Sequence, residues 1–94
     1  MSIPAIIGHR GACGHAPENT LASIRKAAEL GAKWVEFDTM LSADNQVILF
    51  HDDSLERTTG ISGNVADTNW QKLQTLDAGD WFASQYSGEG IPLL

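Results

Sequence analysis

Apolar runs separated by polar punctuation dominate the first half of the chain. Ala5-Ile6-Ile7-Gly8 is short and wholly apolar, the pattern of a strand covered on both faces. Residues 17–31 then switch to helical spacing. Asn19 stands as N-cap, Leu21, Ile24 and Ala28 mark one face, and Gly31 occupies the position that ends a helix. Residues 33–41 return to strand character through Trp34, Val35 and Phe37. Ser42-Ala43-Asp44-Asn45 is turn chemistry, and Val47-Ile48-Leu49-Phe50 is a second buried-type strand. Strand, helix, strand in this order predicts a right-handed parallel crossover, hence an α/β fold.

The texture changes after Asp53. Residues 58–64 are rich in Gly, Ser and Thr and read as an exposed loop. Asp67-Thr68 is placed to cap a short helix with Trp70, Leu73 and Leu76 on its inner side. Trp81, Phe82 and Tyr86 anchor an irregular segment up to Gly90. Residues 54–90 therefore read as a small inserted lobe and not as another crossover. There is no internal repeat and no low-complexity tract.

Composition narrows the function classes. Ninety-four residues, 43% hydrophobic and 19% charged, describe at most one globular domain near the lower limit for a self-sufficient core. A net charge of −6 leaves no electrostatic footprint for nucleic acid or an anionic membrane. No apolar run approaches a membrane span. The start, Met1-Ser2-Ile3-Pro4, lacks a basic region, so no signal peptide is evident. Cys13 has no intrachain partner, which makes a reducing, cytoplasmic location the default.

The chemistry collects at the ends of the predicted strands. Glu36 and Asp38 alternate along one strand, which puts them on one face with Cα atoms roughly 6.6 Å apart. Two hard carboxylates so close suit a magnesium or calcium ion; the alternative is a pair of surface carboxylates on an edge strand. Trp34, Val35 and Phe37 imply heavy cover, which favours the metal. His9 ends the first strand and is followed by Arg10, whose planar fork matches phosphate oxygens. Gly11 and Gly14 allow a sharp turn or a close backbone approach. A structural histidine and a surface salt bridge are the alternatives here. His51 ends the later strand, with Asp52 or Asp53 placed to orient it. Two histidines at strand ends meet the needs of diester cleavage, one accepting a proton and the other donating one. A zinc site fits less well, because no second histidine follows His9 in a His-x-His pattern. His15 reads as an exposed loop residue, and Cys13 as an inert thiol without a basic partner.

Taken with their spacing, these motifs resemble the glycerophosphodiester phosphodiesterase family, especially its bacterial cytosolic members. The matching stretches are His9-Arg10-Gly11, Pro17-Glu18-Asn19-Thr20, Glu36-x-Asp38, Phe50-His51-Asp52, Leu55-x-Arg57-Thr58-Thr59, Leu76-Asp77-Ala78-Gly79-x-Trp81 and Ile91-Pro92. The resemblance implies a TIM barrel with a small insertion, and metal-dependent hydrolysis of glycerophosphodiesters to glycerol 3-phosphate and an alcohol. It implies His9 and His51 as the acid–base pair, Arg10 as phosphate clamp, and Glu36 and Asp38 as ligands of Mg2+ or Ca2+. Glu18 would shape the site or hold Arg10. On this reading residues 1–53 carry the first βα units, 54–90 the insertion lobe, and 91–94 the start of the remainder. A barrel of this kind needs about 250 residues, so the chain corresponds to its N-terminal part, the barrel being incomplete. The family places a third acidic ligand and a lysine on later strands. The 94 residues alone are therefore expected to be inactive or to need another copy or a C-terminal part. The alternatives are a catalytically dead fragment or interaction module, and a phospholipase-D-like relative acting on choline lipids.

Overall fold

The computed structural model describes residues 7–94; Ala5 and Ile6 of the predicted first strand lie outside the described residues. Strand β1 (Ile7–His9) and strand β2 (Trp34–Glu36) pair in parallel, with His9 opposite Glu36. Helix α1 (Leu21–Glu29) links them, giving the expected crossover. The two histidine and carboxylate motifs thus become neighbours through strand register alone.

Helix α1 differs from expectation at its start and on its buried face. The N-cap is Thr20, one residue later than predicted. Its hydroxyl accepts from the Ser23 N–H at 3.2 Å, and the Ser23 hydroxyl accepts from the Thr20 N–H at 3.3 Å, a reciprocal capping box. The C-terminus ends as predicted at Gly31, with φ +90°. The Gly31 and Ala32 N–H groups donate to the Ala28 and Ala27 carbonyls, a Schellman closure.

The inner side of the helix is Ser23 and Ala27, while Leu21 and Ala28 are exposed. Close packing explains this. A Cβ on Gly8 would stand 3.1 Å from the Ala27 Cβ, and one on Gly11 only 2.2 Å from the Ser23 Oγ. The helix lies so near the backbone of β1 and its following turn that only small side chains fit. Apolar cover of the sheet is also thinner than expected. Ile7 is 53% and Trp34 62% exposed, because one helix covers one face of a two-stranded sheet.

The run predicted as one strand over 33–41 breaks at Phe37-Asp38. Strand β3 (Thr39–Leu41) follows the break and pairs antiparallel with strand β4 (Val47–Leu49), Met40 opposite Ile48. The turn residues 42–45 close a hairpin, with Asn45 at φ 62°. The third apolar run is therefore not a second parallel partner of β1. Residues 92–94 run along the other edge of β4. There the Leu49 N–H donates to the Pro92 carbonyl, and the Leu94 N–H to the Val47 carbonyl, both at 3.0 Å.

Short elements build the rest of the lobe: helix α2 (Glu56–Thr59), a 3₁₀ turn (Val65–Asp67), helix α3 (Trp70–Leu73) and a second 3₁₀ turn (Ser84–Tyr86). The predicted loop over 58–64 thus begins inside α2, with Thr58 buried and 61–64 exposed. Helix α3 is capped across the fold and not by Asp67-Thr68. The Asp44 carboxylate accepts the Trp70 N–H at 3.0 Å, and this bond with the Ser42 hydroxyl, the larger cause, lowers the Asp44 pKa. Ile48, Phe50, Leu55, Val65, Leu73, Ala78 and Ile91 form the core, with Met40, Trp70 and Leu76 packed against it. Burying each large side chain contributes about 1.5–3 kcal/mol. The β3–β4 hairpin and the segment that follows it, not the parallel strand pair, hold the main core of the described residues.

The lobe also grips the N-terminal segment. The Glu89 carboxylate accepts the Ala22 N–H at the start of α1, and the Tyr86 hydroxyl donates to the His15 carbonyl, both at 3.2 Å. No helix among the described residues is long and apolar enough to cross a membrane.

Candidate active site

The first half of the site is the sharp turn after β1. Arg10 (φ 51°) and Gly11 (φ 74°) are both left-handed, a conformation costing a non-glycine residue about 1–3 kcal/mol. Four contacts hold Arg10 there. Its N–H donates to Glu36 Oε1 at 3.2 Å, and the Gly11 N–H donates to the Glu36 carbonyl at 3.1 Å. The Arg10 carbonyl accepts from the Ser23 hydroxyl at 3.0 Å and from the Asn19 N–H at 2.9 Å. The strain is thus held by β2 on one side and by the start of α1 on the other.

From this turn the side chains spread toward the carboxylates. His9 is 64% exposed, with Nε2 3.6 Å from Glu36 Oε1. Arg10 points inward: Nε lies 3.2 Å from Asp38 Oδ2, and Nη1 3.3–3.4 Å from both Glu18 oxygens. Nε is buried and makes no well-angled hydrogen bond, so the Asp38 contact acts through charge. Asn19, at φ 54°, clamps Asp38 from both ends. Its amide donates to Asp38 Oδ2 and its oxygen accepts the Asp38 N–H, each at 3.1 Å. With its amide nitrogen and oxygen both engaged by Asp38, Asn19 leaves the cap position to Thr20.

The second half lies where β4 leaves the hairpin. His51 Nδ1 is 2.8 Å from Asp52 Oδ1. Arg57, on α2, donates through Nε and Nη2 to Asp52 at 2.8 and 3.0 Å. Its Nη1 and Nη2 also donate to Glu18 at 2.9 and 2.8 Å. The guanidinium beside Asp52 holds its carboxyl down at about 2, helped by the imidazole. Asp52 and then Glu18 in turn hold Arg57 more firmly protonated than usual. The Trp81 ring lies 5.6 Å from the Arg57 guanidinium carbon, within cation–π range.

All six sequence-predicted residues therefore fall in one polar chain. It runs from His9 through Glu36 to the Arg10 backbone, from the Arg10 side chain to Asp38 and Glu18, and through Arg57 and Asp52 to His51. Among the described residues no three His, Cys, Asp or Glu side chains gather into a ready-made metal cage. Glu36 and Asp38 stand as a pair, joined through Arg10. The crevice walled by Glu18, Asn19, His51, Asp52 and Arg57 holds ≈ 10 Å³, about one water. A larger hollow of ≈ 290 Å³ flanks His9 between β1 and α1, lined by Ile7, Gly8, Cys13, Ala27 and Leu30. Cys13 is half-buried with Sγ 3.9 Å from His9 Nδ1, so it does have an imidazole beside it. His15 is exposed, as expected.

Asn19 and Arg57 carry no site role in the sequence. Asn19 reads there as a helix cap and Arg57 only as part of the stretch Leu55-x-Arg57-Thr58-Thr59, because their partners lie 19 residues away for Asn19 and 5 and 39 for Arg57.

A parallel crossover with histidine, arginine and carboxylates near its strand ends places its chemistry where α/β enzymes, barrels among them, gather their ligands. The comparisons make this specific: the chain belongs to the glycerophosphoryl diester phosphodiesterase family, whose model matches residues 9–94. A phosphodiesterase of Oleispira antarctica, solved with the product sn-glycerol-3-phosphate, superposes with a TM-score of 0.95 at 50% identity. The match covers 98% of this chain and 37% of that one. A glycerophosphodiester phosphodiesterase of Agrobacterium tumefaciens gives 0.93 at 40% identity, covering 98% and 40%. Among curated relatives, YhdW of Bacillus subtilis is 47% identical over 89 residues, 95% of this chain and 37% of its own length. The chain thus spans little more than a third of these relatives, and its fold is the N-terminal portion of their TIM barrel.

Proposed function

We propose that the protein hydrolyses glycerophosphodiesters to glycerol 3-phosphate and an alcohol, with His9 and His51 as its acid–base pair. The observation that carries this reading is the run of polar contacts from His9 through Glu36 to the Arg10 backbone, and from the Arg10 side chain through Glu18, Arg57 and Asp52 to His51. One histidine accepts the proton of the attacking water, or of a substrate hydroxyl whose cyclic phosphate water then opens, as the new P–O bond forms; the other donates to the leaving alkoxide as the old P–O bond breaks. Arg10 faces carboxylates at 3.2–3.4 Å. These contacts are loose enough for a phosphate to compete for its outer N–H groups.

Glu36 and Asp38 are the residues that would hold a divalent cation. Their donor set fits: both offer hard oxygen atoms only, and each keeps lone pairs beyond those given to Arg10 and Asn19. Bound there, Mg2+ or Ca2+ would neutralise the phosphate and stabilise charge that develops on its oxygens. A cation at this pair also fits an acidic chain acting on an anionic substrate.

The test is release of glycerol 3-phosphate from glycerophosphocholine and glycerophosphoethanolamine by the protein at its full natural length, with and without added Mg2+ or Ca2+. Activity is expected only with the metal, and His9→Ala or His51→Ala is expected to lower kcat by about 10²–10⁴-fold. Wild-type rates in either variant would remove that histidine from the pair. Turnover of choline lipids with none of the deacylated diesters would move the protein to a phospholipase-D-like activity.

A further inference from the structure

Arg57 is placed between two carboxylates that come from different parts of the chain. Glu18 precedes helix α1 and its side chain is only 9% exposed, so it is a fixed anchor. Asp52 follows β4 and touches His51. The guanidinium spans both, making two hydrogen bonds to each at 2.8–3.0 Å. The Trp81 ring lies against it. A single ammonium lacks the fork needed for this double pairing.

The contact between His51 and Asp52 has a definite polarity. An ionised carboxylate only accepts, so the 2.8 Å distance requires the proton on Nδ1. In the neutral ring this leaves the lone pair on Nε2, which has no hydrogen-bond partner among the described residues. The imidazole is 43% exposed, so packing alone does not fix its orientation. Asp52 does, and Asp52 is itself fixed by Arg57.

We infer that Arg57 is a positioning residue: by bridging Glu18 and Asp52 it sets which nitrogen of His51 carries the proton and where Nε2 points. The inference rests on the reading of His51 as one of the acid–base pair. It extends that reading to a residue that touches neither imidazole. The low pKa of Asp52, about 2 with Arg57 as its largest cause, supports the arrangement by keeping the acceptor ionised. Without the fork, Asp52 can rotate to water and the ring is free to exchange tautomers.

The experiment is a long-range proton–nitrogen NMR correlation of the histidine rings, recorded above their titration range, on the wild type, Arg57→Met, Arg57→Lys and Asp52→Ala. The wild type is expected to show His51 as a single Nδ1–H tautomer. Arg57→Met and Asp52→Ala should both give a mixture, and Arg57→Lys an intermediate one. In parallel, kcat/KM should fall by about 10–100-fold in Arg57→Met, the usual effect of losing an orienting partner. Circular dichroism checks that each variant folds. If Arg57→Met does not fold, Arg57→Lys decides. A wild-type tautomer signature in whichever variant decides overturns the inference. A wild type that cleaves no diester, yet shows the tautomer shift in Arg57→Met, would remove the proposed reaction and leave the positioning intact. Normal diesterase activity with an unchanged tautomer would do the reverse.

Discussion

Replacing Gly11 by alanine tests whether the turn after β1 is held as tightly as the packing implies. The new Cβ would stand 2.2 Å from Ser23 Oγ and 2.7 Å from the Ser23 Cβ and carbonyl carbon. Two of these atoms belong to the rigid part of a helical residue, so no flexible tip can swing away. Overpacking of this kind costs about 1–3 kcal/mol, and the left-handed φ of 74° adds about 1–2 kcal/mol for alanine. The expected loss is therefore about 2–5 kcal/mol, a large part of a typical stability of about 5–15 kcal/mol. Urea unfolding followed by tryptophan fluorescence measures it as a lower midpoint at unchanged slope. Gly14→Ala is the control, since nothing lies within 4 Å of a Cβ there, and it should stay within about 0.5 kcal/mol of the wild type. If the two variants unfold within about 1 kcal/mol of each other, the claim that α1 seats directly on this turn is wrong.

Two further outcomes follow from the same contacts. Asn19→Ala removes both bonds to Asp38 from a residue only 3% exposed, and is expected to cost about 1–3 kcal/mol in urea unfolding. Because Asp38 then loses its clamp, the Mg2+ concentration for half-maximal activity should rise about 10–100-fold; an unchanged value would separate Asp38 from the cation. The third outcome concerns acid. The Asp52 carboxyl is held at about 2 against an ordinary 3.8. A depressed carboxyl stabilises the fold fully above its ordinary value, and that stabilisation is lost as pH falls toward its folded value. Between about pH 4 and pH 2 the urea midpoint should fall, and less steeply in Asp52→Asn. Asp44 and Asp77 are lowered too, Asp77 chiefly by the Asp80 N–H, so the decline should shrink without vanishing. Parallel pH profiles would refute the Arg57–Asp52 pairing.

The parts of the fold legible in sequence are those written in local pattern. The β1–α1–β2 crossover was readable because apolar runs and a Gly31 stop bracket a helix between two strands. The strand-end motifs were readable because His9, Arg10, Glu36, Asp38 and His51 are chemically distinctive where they stand. The buried face of α1 was not, since Ser23 and Ala27 carry little hydrophobic signal and owe their burial to glycines across the contact. The cap was placed one residue early because Asn19 suits that position, while in the fold its side chain is taken by the distant Asp38. The hairpin was half-written: residues 42–45 announced a tight turn, which antiparallel strands use and parallel ones cannot. Arg57 was visible only as part of the matching stretch Leu55-x-Arg57-Thr58-Thr59, and its role was not, because an ion bridge to Glu18 leaves no periodicity to detect.

The bridge from Glu18 to Arg57 depends on packing elsewhere in the chain to bring its ends together. The two residues are 39 positions apart, and closing a flexible loop of that length costs on the order of 3 kcal/mol. Partly exposed ion pairs return about 0–1 kcal/mol, too little to draw the ends together from an open chain. The bridge therefore relies on the core around Ile48, Leu55 and Leu73 and on the seating of α1 against β1 to bring its two ends within reach. Packing supplies the closure, and the bridge supplies the angle at which helix α2 faces the start of α1.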